Sequence, residues 1–421
     1  MTSAALARGA GSADDLRATQ MRAAPWPYAQ LDIAGRLAAG WRPTPVHDVV
    51  LKVHQRCNLA CDYCYVYEHA DQSWRGRPPR MSPLVWQATI AALGRHARRH
   101  ALKAVRLVLH GGEPLLYGAD RLGEIAAAFR SAMPDDCLTE VGMQTNGVRL
   151  DVATVEAMQR YGIRVGVSVD GVADDHDRHR RTHAGRGSYA AVRDALEVLG
   201  RPEHAAAYAG ILCTVAPDTD PVACYQQLIA FRPPTLDFLL PHANHDEPPP
   251  RPGESPTPYA DWLGAVFDRW YADPPGTRVR LFEDVMSLLL GGPSRGEQLG
   301  LSPSAVVVVE SDGAIEQIDA LKTAYAGAAA TGLDVLHHEF DEVLRDPGIV
   351  ARQIGTDALA AECLACPVHQ VCGGGHYAHR YRRGLGFRHR SVYCDDLSAF
   401  INHVNQRLSA DLRRLSVPRT G

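Results

Sequence analysis

Six short runs rich in β-branched residues alternate with longer amphipathic stretches between residues 46 and 245, and this alternation limits the fold more than any other feature. It is the pattern of repeated βα units, whose parallel strands are buried under helices. Strands are expected at 49–54, 104–110, 138–145, 163–169, 208–215 and 235–240, with helices over 83–96, 119–132, 152–161, 189–199 and 221–231. Six units fall short of a closed eight-stranded barrel, so the expected fold class is α/β with a partial, open (β/α)6 barrel. In such a sheet ligands sit beyond the carboxyl ends of the strands.

The stretch 247–258 holds six prolines in twelve residues, which forbids a regular helix or central strand and marks a boundary. The expected division is an N-terminal extension (1–45), the barrel (46–245), a Pro-rich linker with helices (246–300), a smaller second domain (301–398) and a C-terminal helix (399–421). A continuous helical segment is expected over 259–290, then a strand pair over 305–319 turning at Ser311, Asp312 and Gly313. With 44 Lys+Arg against 48 Asp+Glu there is no basic excess to neutralise phosphates, so no nucleic-acid partner is expected. No apolar run nears the ~18 residues of a membrane span. Residues 1–15 lack the apolar core of a secretory signal, so the expected location is the cytoplasm, with no membrane partner.

Ten cysteines in a cytoplasmic chain point to metal or redox chemistry rather than a disulfide framework. Cys137, Cys213 and Cys224 stand alone and read as small buried hydrophobes. The other seven form two groups. Cys57, Cys61 and Cys64 directly follow the first strand, which puts three thiolates in the loop at its carboxyl end. Four cysteines close a 4Fe-4S cluster, whereas three leave one iron open to an exogenous ligand. The alternative is zinc, with His54 or His69 as fourth ligand.

The run Cys57-Asn-Leu-Ala-Cys61-Asp-Tyr63-Cys64 resembles the signature of the radical S-adenosylmethionine (SAM) family, CxxxCxφC with φ aromatic. The resemblance implies that SAM chelates the open iron. Reductive cleavage of its sulfonium then yields a 5′-deoxyadenosyl radical, which abstracts hydrogen from an unactivated C–H bond. Gly111-Gly112-Glu113-Pro114, ending the second strand, looks like the family's GGEP motif, with Glu113 as a ligand to the SAM ammonium; alone it reads as a turn. Ser168 and Asp170 offer a hydroxyl and a carboxylate to a ribose, and Arg180 a guanidinium to the SAM carboxylate, against a solvated basic loop as the plain alternative. Asn146, in Gln144-Thr-Asn146-Gly147, lines the site or makes an Asn-Gly turn.

Cys363, Cys366, Cys372 and Cys394 supply four thiolates, a closed set that also suits structural zinc. Their spacing resembles the later half of the SPASM extension of radical SAM maturases, which implies a truncated SPASM-like domain with an auxiliary 4Fe-4S cluster. Two departures follow. His376 stands where that pattern has its fourth cysteine, and Ile318 stands where an upstream one is expected, so one auxiliary cluster is implied, not two. His376 is read as hydrogen-bonded or substrate-facing, with ligation as the alternative. Asp319 follows Ile318, and the resemblance makes it the base that deprotonates substrate; otherwise it caps the next turn.

Segments at 236–242, 312–317, 332–335 and 372–381 resemble the FxsB-type subgroup. That implies a ribosomally made precursor peptide as substrate, a crosslink from a side-chain Cβ to an aromatic ring (a cyclophane), and an external one-electron reductant such as flavodoxin or ferredoxin. The peptide is expected to enter near the Pro-rich linker. The first 45 residues are too few for a winged-helix leader-binding domain, so another surface or protein would recognise the leader. Trp26, Tyr28 and Trp41 offer an apolar strap or pack on the barrel. Rival readings are oxidation of Cys or Ser to formylglycine, and a non-catalytic scaffold with two zinc sites.

Overall fold

The structure, a computed structural model, describes residues 31–272 and 276–416. Trp26 and Tyr28 lie outside the described residues; Trp41 packs on an apolar cluster that includes Leu321, Tyr377 and Phe387.

Six parallel strands form the centre of one sheet: β1 (Asp48–His54), β2 (Ala104–Gly111), β3 (Leu138–Thr145), β4 (Arg164–Ser168), β5 (Tyr208–Thr214) and β6 (Thr235–Leu239). Neighbours in sequence are neighbours in space. A two-residue β7 (Arg278–Val279) extends the β6 edge in parallel. At the other edge β8 (Val306–Val309) pairs in parallel with β1, and β9 (Ala314–Glu316) and β10 (Ala330–Asp334) follow antiparallel. The sheet therefore runs unbroken from the barrel strands into the later part of the chain, and the open barrel expected from the βα alternation is what forms.

The core explains the order. β1 buries Val49, Leu51 and Val53 completely, and Leu107, Leu109, Val165 and Val167 continue the same layer. Helices α1 (Pro83–Arg99), α2 (Ala119–Ala132), α3 (Val152–Arg160), α4 (Tyr189–Leu199) and α5 (Pro221–Ala230) supply the cover. Three start on side-chain caps: Ser82 accepts from Val85 N, Asp151 from Thr154 N, and Asp220 from Val222 and Ala223 N. The helical segment expected over 259–290 is instead two helices, α6 (Pro258–Ala272) and α7 (Arg280–Leu289). β7 interrupts them because Arg278 and Val279 extend to pair with Thr235 and Leu236. The last helix, α8 (Cys394–Ser416), seats Phe400 against Phe267 of α6 and Phe282 of α7.

A buried charge network locks β1 to the β8–β9 hairpin. Lys52 Nζ donates to Asp319 Oδ2 at 2.7 Å, and Lys322 Nζ lies 2.5 Å from Glu310, 3.0 Å from Glu316 and 3.1 Å from Asp319. Arg77 closes it from the loop after β1, at 2.6 Å from Glu310 and 2.5 Å from Glu316. Burial alone would raise the Glu310 pKa, but the Lys322 and Arg77 charges hold it down, at about 2; Lys52 and Lys322 hold Asp319 lower still. Glu316 moves the other way, because burial outweighs its partners. Stability from the two depressed carboxylates is present above their unfolded values of 4.5 and 3.8 and is lost as pH falls through the folded ones. Lys52→Met, which leaves Asp319 half-paired, is expected to cost about 3–5 kcal/mol at pH 7. The loss should shrink toward pH 3; a deficit in the urea midpoint that does not change with pH contradicts this.

Candidate active site at the carboxyl ends of the strands

The loop after β1 folds back over the end of β2. Gly112 N donates to His54 O at 2.8 Å and Glu113 N to Arg56 O at 3.1 Å. A Cβ on Gly111 (φ +146°) would strike the His54 backbone, and one on Gly112 the Tyr67 hydroxyl and the Arg56 backbone. The two glycines are thus required for the loop to dock. Docked, it places Cys57, Cys61 and Cys64 around a single cavity of about 180 Å³, whose wall also includes Tyr63, Gly111, Gly112, Asn146, Ser168 and Arg180.

Two sequence-predicted ligands sit behind that wall. Glu113 is fully buried: Oε1 accepts from Leu115 N (2.9 Å) and Thr145 Oγ1 (2.7 Å), and Oε2 from Asn146 N (2.9 Å). Its carboxylate joins the ends of β2 and β3 directly beneath the cavity wall formed by Gly111, Gly112, Thr145 and Asn146. Burial raises its pKa against the pull of these donors. Asp170 borders a larger neighbouring cavity and accepts from Arg180 Nε at 2.7 Å, from Thr214 N at 2.9 Å, and from the Tyr63 hydroxyl. Burial would raise its pKa, but the Arg180 guanidinium keeps it below the usual carboxylate range. Asp170 therefore orients Arg180 and Tyr63, whose faces line the cavity, with the guanidinium carbon 5.4 Å from the Tyr63 ring centre. Asn146 reaches the cysteine loop directly, donating to Asn58 Oδ1 at 2.8 Å and Cys57 Sγ at 3.5 Å. Gln144 holds Ser168 Oγ at 2.9 Å.

The thiols suit a cluster better than a lone ion. Burial raises Cys57 to about 12 and Cys61 to about 11, and raises Cys64 as well, so the thiolates form when a cationic metal group compensates them. Zinc–sulfur bonds of about 2.3 Å would set sulfurs about 3.8 Å apart. Among the described residues no three of these sulfurs gather within 4.8 Å, and neither His54 nor His69 joins them. Cys363, Cys366, Cys372 and Cys394 line a second cavity of about 180 Å³ and are not clustered to zinc distances either. Three positive-φ glycines follow Cys372 (φ +60°, +79° and +68°), and the buried Arg380 guanidinium donates to the carbonyls of Gly373, Gly374 and Gly375 at 2.6, 3.1 and 2.8 Å. Cys137, Cys213 and Cys224 are buried, as read.

Asp319 belongs to the charge network above and does not border the cysteine cavity. Sequence reasoning missed four titratable groups that do: Tyr65, Tyr67, His110 and His242. Burial and Lys52 lower His110 to about 4, so it is a neutral imidazole. Its place at the end of a strand was the available signal.

A cysteine-triad loop at the C-terminal end of the first strand of a partial barrel defines a radical SAM domain, and residues 51–201 match the Radical SAM superfamily. This segment is a radical SAM domain, of a superfamily whose cofactors are a 4Fe-4S cluster and SAM. It is 25% identical over 272 residues to a cysteine-type anaerobic sulfatase-maturating enzyme of Clostridium novyi, covering 62% of this chain and 70% of the relative. Its fold is similar to that of native anSMEcpe with bound AdoMet (TM-score 0.75, 21% identity, 86% of this chain and 98% of the other). It is also similar to Streptococcus suis SuiB bound to precursor peptide SuiA (TM-score 0.58, 14% identity, 86% and 78%).

The close approach at Gly112 gives a test. Gly112→Ala should undock the loop and remove about four iron atoms per chain after reconstitution. Gly76→Ala, whose Cβ meets nothing within 4 Å, should keep them. Equal iron in both contradicts the docking argument.

Proposed function

We propose that this enzyme matures a ribosomally made precursor peptide by joining an aromatic ring to a nearby side-chain Cβ. One observation carries the peptide reading. A larger cavity, about 590 Å³, adjoins the cysteine cavity, and Tyr63, Thr214 and Pro241 border both. Its outer wall is the Pro-rich linker and the start of α6, including Pro250, Pro252, Tyr259 and Trp262. An apolar chamber of that size opening onto the cofactor cavity suits a peptide segment with an aromatic side chain. SuiB, of similar fold, is bound to a precursor peptide.

When bound, the front cluster and SAM supply a hydrogen-abstracting 5′-deoxyadenosyl radical, and a second 4Fe-4S cluster would supply a one-electron acceptor. Cys57, Cys61 and Cys64 would hold the first, and Cys363, Cys366, Cys372 and Cys394 the second. Arg180 offers its guanidinium to the SAM carboxylate, Ser168 its hydroxyl to the ribose, and Tyr63, Gly111, Gly112 and Asn146 shape the pocket; Glu113 and Asp170 fix these groups from behind. Leu212, Leu239 and Leu240 line the cavity and keep water from the reacting carbon. A flavodoxin or ferredoxin delivers the starting electron.

Asp319 is the final proton acceptor in this reading; it lies outside the cavity wall, and the proton reaches it through a lining group such as His110, whose imidazole feels its charge. Clamped by Lys52 and Lys322, it is a weak base. A substrate ring that has lost an electron and must rearomatise is a strong acid, and a weak base suffices for it. Formylglycine formation, the second reading, is favoured by the name of the Clostridium novyi relative. It asks the same group to deprotonate a thiol of pKa about 8.5, for which a depressed carboxylate is badly matched.

Mass spectrometry of the precursor peptide after anaerobic reaction decides between them. Crosslinking predicts loss of two hydrogens and fragment ions that retain a ring. A product trapped by hydrazide as an aldehyde contradicts crosslinking and supports formylglycine. Asp319→Asn with full iron content should lower crosslinked product by about a hundredfold while deoxyadenosine is still released. Unchanged crosslinking removes Asp319 from the mechanism.

A further inference from the structure

Two stretches far apart in sequence bring three histidines together. His242 follows β6, and His376 and His379 follow the three-glycine turn after Cys372. Ring centres lie 5.4 Å apart for His242–His376, 5.7 Å for His242–His379 and 5.0 Å for His376–His379. One ring nitrogen from each lies within 4.8 Å of those of the other two.

Their hydrogen bonding is incomplete. His242 Nδ1 and both nitrogens of His379 are buried without a partner, while His376 Nδ1 accepts from Ala378 N. Buried imidazole nitrogens are normally satisfied, because leaving them bare forfeits their hydration. Burial also lowers all three pKa values, to about 3 for His242 and His376, so the rings are neutral and their lone pairs free to ligate. Two other groupings of ligand type already hold a cationic side chain. Glu310, Glu316 and Asp319 already hold Lys322, Lys52 and Arg77. In the trio His96, His100 and Asp341, the carboxylate is 3.2 Å from Arg99.

We propose that His242, His376 and His379 form a binding site for a single divalent transition-metal ion, of the zinc or iron(II) type. Three neutral imidazoles with an open remaining position is the ligand set of a catalytic-type zinc centre, and imidazole suits iron and zinc alike. Zinc–nitrogen bonds of about 2.0–2.1 Å set the nitrogens about 3.3 Å apart, so the trio, now within 4.8 Å, closes by up to about 1.5 Å on binding. The seat is built from rigid parts: His242 adjoins the last barrel strand, and the His376 loop is held by Arg380 on the Gly373, Gly374 and Gly375 carbonyls. His242 also lines the cysteine cavity, so the ion would stand in the wall of the active site. The inference does not depend on which peptide reaction the enzyme performs.

Zinc is the probe. Cluster-reconstituted full-length enzyme, freed of loose metal, is equilibrated with zinc chloride and measured by elemental analysis and zinc-edge X-ray absorption. The expected result is one zinc per chain with three nitrogen ligands at about 2.0 Å and no sulfur. His376→Gln and His379→Gln should each weaken zinc binding by more than about a hundredfold, beyond the cost of an outer-shell change, with iron content unchanged. Wild-type enzyme that binds no stoichiometric zinc, or binds it through sulfur, overturns the site, as does undiminished zinc in both variants. The absorption spectrum of the wild type decides the matter even if a variant fails to fold.

Discussion

Backbone passes over backbone at Gly111 and Gly112, and everything in the front site depends on that contact. The loop carrying Cys57, Cys61 and Cys64 is anchored by Gly112 N to His54 O and Glu113 N to Arg56 O, and a single added carbon at either glycine would block it. Glu113 then performs a second task from beneath. By accepting from Leu115, Thr145 and Asn146 it fixes the end of β3 against the end of β2, and Asn146 in turn touches Cys57 and Asn58. The Glu113 carboxylate thereby helps set the geometry of a cysteine that lines the cavity.

Buried charge is used in the same indirect way elsewhere. Asp170 presents Arg180 and Tyr63 to the cavity while remaining behind both. The Lys52–Asp319–Lys322 group ties the strand that carries the cysteines to the hairpin that opens the later part of the chain. Such pairs give modest net stability, since desolvation offsets attraction, but they resist being taken apart. The result is a pre-set pocket, and orientation is what radical chemistry asks of a protein whose cofactors do the difficult step.

Much of this was legible in the chain. The βα alternation yielded all six central strands to within a residue or two, because buried parallel strands are written as dense β-branched runs. The grouping of seven cysteines into two sets was legible from their spacing, and each set lines one cavity. What was not legible depends on which partners a side chain finds: Glu113 and Asp170 stand at strand ends, where ligands belong, yet each also ties neighbouring strands and loops together. Contacts between distant segments were equally hidden. Nothing local announces that Lys52 will meet Asp319, that β8 will pair with β1, or that His242 will meet His376 and His379. β7 was missed because two residues are too short to show a period.

The central claim is that the triad holds a cluster with one iron free for SAM. Electron paramagnetic resonance of reduced, anaerobically reconstituted Cys372→Ala enzyme, with the second cysteine group disabled, tests it most directly. The account predicts a 4Fe-4S signal that shifts when SAM is added. A signal indifferent to SAM, or no cluster signal at all, would contradict it.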